Sequence, residues 1–247
     1  MAPSRKAKKT RRRKRTLKGG DNLAANHELE RGLPKCQSNK ECNKSVIKGH
    51  TFCAYHEKNG PSTKSPLSGS ELPYGDYVYN KDNAVKNSHN CYSYAMGVVD
   101  KNKVENCRNN DCVTAQPGRW SKYNISRKEN QSCSDIISRT MGDIRGTELT
   151  TFTSKCPQGF RKVCCVVDKN RDYHWYRQDN NGMWSHKPGT RAVTDIDAFG
   201  SKIYNPELAS RNYPAEFDGD TGLNYKDFCS FMCIPAKPGS IQIAGNR

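Results

Sequence analysis

The sequence is short of apolar residues. Hydrophobic types fill 34% of its 247 positions, and the mean hydropathy is −0.95. Counting Gly in place of Tyr brings the figure to about 37%, against roughly 45–50% for an average globular domain. No run of about 18 apolar residues occurs, which excludes a spanning helix from the sequence reading. Acidic residues are missing from positions 1–20. The same stretch lacks the short apolar core of a secretory signal, so the expected location is a virion, the nucleus or the cytoplasm. In that setting the Asn-x-Ser sequons at Asn43, Asn124 and Asn130 carry no meaning, because they are acceptors only in a secreted chain.

What the first twenty residues do contain is ten Lys and Arg between Arg5 and Lys18, densest at Arg11, Arg12, Arg13, Lys14 and Arg15. They account for ten of the sixteen excess positive charges and leave +6 on the other 227 residues. Such a run repels itself and buries nothing, which predicts a disordered basic arm over 1–30. Clustered cations of this kind release counterions on binding phosphate, so residues 5–18 are expected to contact nucleic acid or another polyanion. Nuclear import alone is the plainer alternative.

After the arm comes a Cys- and His-rich stretch, assigned to a module over 31–57. EKNGPSTKSPLSGSELP follows and reads as a flexible linker over 58–73. From Tyr74 to Arg247 the composition is aromatic and mixed, without a second break, which suits one domain. Asn90 can cap a helix opening at Cys91, and CSDIISRTMGD offers a second over 133–143. RKVCCVV (161–167) reads as a strand. DYHWYRQ (172–178) and MWSHK (183–187) flank DNNG as the arms of a hairpin. DFCSFMCIP (227–235) alternates and stops at Pro235, which places Cys229, Phe231 and Cys233 on one face. Together these predict an α+β fold with an antiparallel sheet.

Cys36, Cys42, Cys53 and His56 are spaced C-x5-C-x10-C-x2-H. Three thiolates and an imidazole suit tetrahedral zinc, and a metal would hold together a segment too short to build its own core. His50 is an alternative ligand, and a disulfide with bystanders is the alternative reading of the cluster. The pattern, with Gly49 and Phe52, resembles a small zinc-binding module that recurs beside basic segments in proteins of large DNA viruses and protists.

Cys91 follows His89 and Asn90 at the start of the first predicted helix, where backbone dipoles favour a thiolate. His174 and His186 lie on the two hairpin strands. A three- or five-residue loop centred on Asn180 sets these two opposite each other, whereas a two- or four-residue loop turns His186 to the other face. NCYSYA (90–95) resembles the nucleophile motif of the NlpC and CHAP cysteine peptidases and amidases, although Tyr92 and Ser93 stand where that motif commonly has Ser-Gly or Thr-Trp. Adding QPGRWS (116–121), DYHWYRQD (172–179) and WSHKPG (184–189), residues 85–235 resemble a little-described family of bacterial and large-DNA-virus proteins. The resemblance implies a papain-like fold over 74–247 with Cys91 as nucleophile, His174 as general base and acid, and His186 orienting the imidazole. Asn90 is the candidate oxyanion support, with Tyr79 a second choice. In a permuted version Cys229 or Cys233 would be the nucleophile. The implied activity is hydrolysis of an amide bond in a peptide or peptidoglycan-like substrate. The alternative is a non-catalytic structural or packaging protein of virion type that holds nucleic acid through its arm. A transcription regulator is disfavoured, since no recognition helix is visible.

Eight cysteines remain: Cys107, Cys112, Cys133, Cys156, Cys164, Cys165, Cys229 and Cys233. Cys164 and Cys165 must face opposite ways on a strand. CRNNDC (107–112) is a turn-like loop that could be bridged or could bind metal. The family resemblance implies several disulfides.

Overall fold

The computed structural model describes residues 34–122, 131–215, 222–237 and 239–243. The arm expected at 1–30 lies outside them. The chain divides into Met1–Leu33 and Pro34–Arg247, and every described residue belongs to the second unit.

Helices among the described residues are α1 (Ala54–Asn59), α2 (Asp76–Asn80), α3 (Asn83–Ser88), α4 (Cys91–Ala95), α5 (Lys101–Arg108) and α6 (Cys133–Asp143). The strands are β1 (Glu148–Thr150), β2 (Phe160–Asp168), β3 (Asp172–Gln178), β4 (Trp184–His186), β5 (Asn212–Tyr213), β6 (Leu223–Asn224) and β7 (Asp227–Pro235). Five of these form an antiparallel sheet in the order β1-β7-β2-β3-β4, and β5 pairs with β6 apart from it. This is the expected α+β class.

Local chemistry sets the element starts. The Asn90 side chain accepts the Ser93 amide at the head of α4. Ser132 and Asp135 form a reciprocal capping box on α6, a device that satisfies two amides the helix itself cannot. Asp82 and Asp100 cap α3 and α5, each accepting amides of the first turn.

Both faces of the sheet are covered, so successive residues of β2 and β3 enter two different cores. Val163, Cys165, Val167, Tyr173 and Trp175 face α4 and α6. Cys164, Val166 and Tyr176 face the other way, against Trp184, Ile203, Tyr225 and Phe231. Cys164 and Cys165 therefore separate as expected. β7 departs from its alternation. Its register to β2 shifts between Cys165 and Val166, a β-bulge that puts one extra residue on β7 and reverses the facing of what lies beyond. Cys229 consequently turns to the helix face and bonds to Cys133, while Phe231 faces the other core and Cys233, paired with Lys162, bonds to Cys156. The expectation of one shared face for 229, 231 and 233 fails at the bulge. The third disulfide closes Cys107 on Cys112, which settles the CRNNDC loop as bridged.

Residues 58–73 are no free linker. Ser65 is buried, donates to Gln178 Oε1 (3.1 Å) and accepts from Lys162 Nζ (3.0 Å). The Gln178 amide returns to the Ser65 carbonyl at 2.9 Å, and the Asn180 amide donates to the Leu72 carbonyl at 2.9 Å. Gly, Pro and Ser here lay a strap across the sheet, with side-chain and backbone hydrogen bonds in place of apolar contacts.

Buried cations tie the layers together. Lys187 Nζ reaches the carbonyls of Lys86 (2.6 Å) and Gly189 (2.8 Å). Arg161 donates to the Met96 carbonyl. Arg177 pairs with Asp179 at 3.1 Å, donates to the Tyr94 and Pro73 carbonyls, and lies 4.0 Å over the Tyr94 ring. Burial pushes Lys162 and Lys187 each down to about 8.

The disulfides close loops of very different length, 96 residues for Cys133–Cys229 and 5 for Cys107–Cys112. In chain-entropy terms the long one stabilises by about 4–5 kcal/mol and the short one by about 2 kcal/mol. Urea unfolding of the two double Cys→Ala variants should show the larger loss for 133/229. Equal losses would mean that something other than chain entropy governs these bridges.

Candidate functional site

The loops of 36–56 carry three thiols to one point. The Lys44 carbonyl receives the Cys36 amide at 3.0 Å, and the Asn39 side chain receives the Cys42 amide at 2.7 Å. Cys53 sits at the head of α1, whose first turn returns His56 to the same spot. The ligand atoms of Cys36, Cys42, Cys53 and His56 all lie within 4.8 Å of one another. His56 Nδ1 is 3.3, 3.6 and 3.4 Å from the sulfurs of Cys36, Cys42 and Cys53, and the Cys42 and Cys53 sulfurs are 3.9 Å apart. None of the three is in a disulfide. His50 points away, to Glu57 at 3.5 Å. Burial lifts the Cys36 thiol to about 11. At Cys53 burial is outweighed by hydrogen bonds, that from the His56 amide foremost, and the thiol is held down to about 6. This group can hold a metal ion.

Outer contacts fix the donors. His56 Nε2 is hydrogen-bonded to Ser62 Oγ at 2.9 Å; with the proton on Nε2 this bond leaves Nδ1 as a ligand atom. The Cys53 amide donates to the Cys36 sulfur at 3.3 Å. Gln37, between the cluster and the sheet, is wholly engaged. Its Oε1 accepts the amides of Tyr204 (2.7 Å) and Asn205 (3.0 Å), and its Nε2 donates to the Lys202 carbonyl (3.2 Å). Thr51 Oγ1 donates to the same carbonyl at 2.9 Å, and Phe52 meets Tyr204 edge to face at 5.0 Å. The group of Cys36, Cys42, Cys53 and His56 is thus a clip on the 197–205 loop. Spacing identified its four ligands, but no local signal marks Gln37, whose partners lie more than 160 residues away.

The expected triad does not assemble. His174 and His186 do meet: His186 Nε2 donates to the Ile196 carbonyl (3.0 Å), so its Nδ1 accepts from His174 Nε2 at 2.8 Å. Their register is that of a hairpin centred on Asn181, not Asn180, with His186 opposite Tyr176; the parity, and hence the shared face, is kept. Cys91 is on the other side of the sheet, packed with Tyr92, Cys165, Tyr173 and Trp175, while His174 stacks with Tyr176 and Tyr225. Burial, with the Asp172 carboxylate adding to it, pushes the Cys91 thiol up to about 12. Desolvation therefore overrides any thiolate stabilisation from the five-residue α4. Asn90 is spent as a cap, with its amide donating to the Ala115 carbonyl at 2.7 Å, and Tyr79 donates to the Val98 carbonyl. Cys229 and Cys233, the permuted alternatives, are both in disulfides.

The chain is 31% identical over 140 residues to a curated protein of Ruditapes philippinarum described as insoluble matrix shell protein 1. The match covers 56% of this chain and 82% of that protein. No protein-family model and no solved structure matches. The peptidase or amidase reading is overturned: the relative is described as a matrix protein, and the proposed nucleophile and base face opposite cores.

This geometry supports two measurements. Burial lowers His186 from 6.5 to about 4 and holds His174 well below its usual value. The unfolded state then takes up protons first, so their contribution is complete above pH 6.5 and is lost as pH falls from 6.5 towards 4. For His186 alone the loss is about 3 kcal/mol. Urea midpoints between pH 4 and 7 should fall accordingly, and should flatten in His186→Gln; an unchanged profile in that variant refutes the assignment. Second, a chelator that strips the clip should speed hydrogen exchange at the Tyr204 and Asn205 amides while leaving Trp175 protected. Uniform exchange would show that the clip does not act locally.

Proposed function

The chain belongs to the family of insoluble matrix shell protein 1 of Ruditapes philippinarum, and on that premise we propose that it is a non-catalytic structural protein of an extracellular matrix. The relative carries this reading, and the sequestered Cys91 is in keeping with it. Three disulfides suit an oxidising compartment, which favours the outside of the cell over the nucleus or cytoplasm. No helix among the described residues is long and apolar enough to cross a membrane.

Zinc is the metal that best fits the clip. Bonds of about 2.3 Å to sulfur and about 2.0–2.1 Å to nitrogen give tetrahedral edges of about 3.8 Å for S–S and about 3.5 Å for S–N. The Cys42–Cys53 separation of 3.9 Å and the three S–N separations of 3.3–3.6 Å match these edges, while the full set spans up to 4.8 Å, so the Cys36 sulfur has to close in on the ion. Three thiolates and one imidazole leave no open position, so the ion serves stability rather than chemistry.

The basic residues 5–18 are the anchor in this reading. They hold a polyanion, nucleic acid or an acidic matrix polymer alike, through counterion release rather than shape. Binding of the full chain to immobilised duplex DNA and to heparin should weaken steeply with salt, with a log–log slope on DNA no steeper than about −9 for ten cations. A chain lacking residues 1–20 should lose both the binding and the salt dependence. Equal affinity after truncation would remove the arm from the function.

A further inference from the structure

A groove of about 560 Å³ lies between the metal module and β7, within the roughly 300–1,000 Å³ of small-ligand sites. Its chemistry is unlike that of the arm. The lining is rich in hydroxyls, from Thr63, Thr150, Thr151, Thr153 and Ser230. Two carboxamides, Asn39 and Asn205, and the ring of Phe228 join them. Charge is nearly balanced, because Lys40 and Glu207 pair across the wall at 2.6 Å and leave Glu41 as the remaining charged group. A polyanion finds no net cation here.

Some of these polar groups have nothing to bind within the chain. Asn205 is 3% exposed. Its Oδ1 accepts the Glu207 amide, and its Nδ2 has no acceptor among the described residues. Thr150 Oγ1 likewise has no partner among them, whereas Thr63 is spent on the Ser38 carbonyl, Ser230 on the Phe231 carbonyl, and Thr151 on Thr153 and Ser154. Phe228 is half-buried, backed by Phe231 at 4.8 Å and with the Arg211 guanidinium 5.9 Å from its ring centroid, so the ring is held in place and offers the groove what these two leave uncovered. The Thr150 hydroxyl and the Asn205 amide beside a fixed aromatic ring, with exchangeable hydroxyls of Thr151 and Thr153 next to them and little net charge, suit a ligand that has hydroxyls around its edge and C–H groups on its face.

We propose that this groove binds a neutral oligosaccharide. Such a site goes beyond the matrix reading and is independent of the arm. It would let one chain hold two polymers, a polyanion through residues 5–18 and a neutral glycan through the folded unit. Since Asn39 and Lys40 belong to the cysteine loops of the clip, the groove needs the module in its folded form.

The test uses the full chain with its metal, with saturation-transfer NMR and calorimetry against cellopentaose, N-acetylchitopentaose and maltopentaose. A heparin pentasaccharide and an extended Thr/Val peptide serve as controls. At least one neutral glycan should bind. Asn205→Ala and Thr151→Trp should each weaken it about tenfold, the first by losing a donor and the second by filling the groove from an exposed position. Deletion of residues 1–20 should leave glycan binding unchanged. Unaltered metal content and circular dichroism certify the variants, and Thr151→Trp carries the test alone if Asn205→Ala misfolds. The proposal is overturned by no binding of any neutral glycan, by wild-type affinity in Thr151→Trp, or by a groove that takes only the peptide or the heparin fragment.

Discussion

Every residue of β2 and β3 inside their partly exposed ends has to satisfy a core, because the sheet is covered on both sides. That constraint decides most of what this protein is. With a period of two, neighbouring residues of one strand belong to different interiors. Tyr173 and Trp175 close over the helices, and His174 and Tyr176 close over the loops beyond. A nucleophile on α4 can reach the odd-numbered residues of β3 and none of the even ones. The likeness to a hydrolase rested on residue types whose spacing is compatible with catalysis but whose parity is not.

The second interior is the more polar of the two, and it is held by groups whose partners are chosen one by one. Burial keeps the two imidazoles neutral, and they satisfy their ring nitrogens on each other and on a carbonyl. Lys162 ends on the carbonyls of Phe152 and Ser154, and Asp197 collects the amides of Phe199, Ser201 and Ser210. Leaving any of these buried groups unpaired costs more than the bond contributes, so the loops over this face are fixed by satisfaction of polar groups rather than by apolar area. That is how a chain with few hydrophobic residues still forms two cores.

What was legible in the sequence was local. The boundaries of β3 and β7 follow from the turn DNNG and from Pro235, that of α6 from the run CSDIISRTMGD, and the four ligands from their spacing. α2, α3 and α5 were missed because they are short and polar, although Asp82 and Asp100 were cap signals available to be read. The strap over 58–73 was misjudged because composition reports flexibility of the free chain, not the hydrogen bonds it finds. The β7 bulge has no sequence mark, and it alone moved Cys229 to the opposite face. Asn205 and Thr150 come together with Asn39 only through the fold.

The clip also determines how the molecule carries a load. The described chain begins at Pro34, whose carbonyl receives the Val46 amide at 2.9 Å, two residues before Cys36. A pull entering the folded unit at Pro34 therefore reaches the cysteine cluster first. It passes from there through Gln37 and Thr51 into the 202–205 backbone, and through the Trp184–Ile203 bridge into the outermost strand. The helix face, with Cys91 in it, is not on that path. In mechanical terms the cysteine and histidine cluster and the loop it clips lie between the entry of the chain at Pro34 and the sheet, as the first link of a tether.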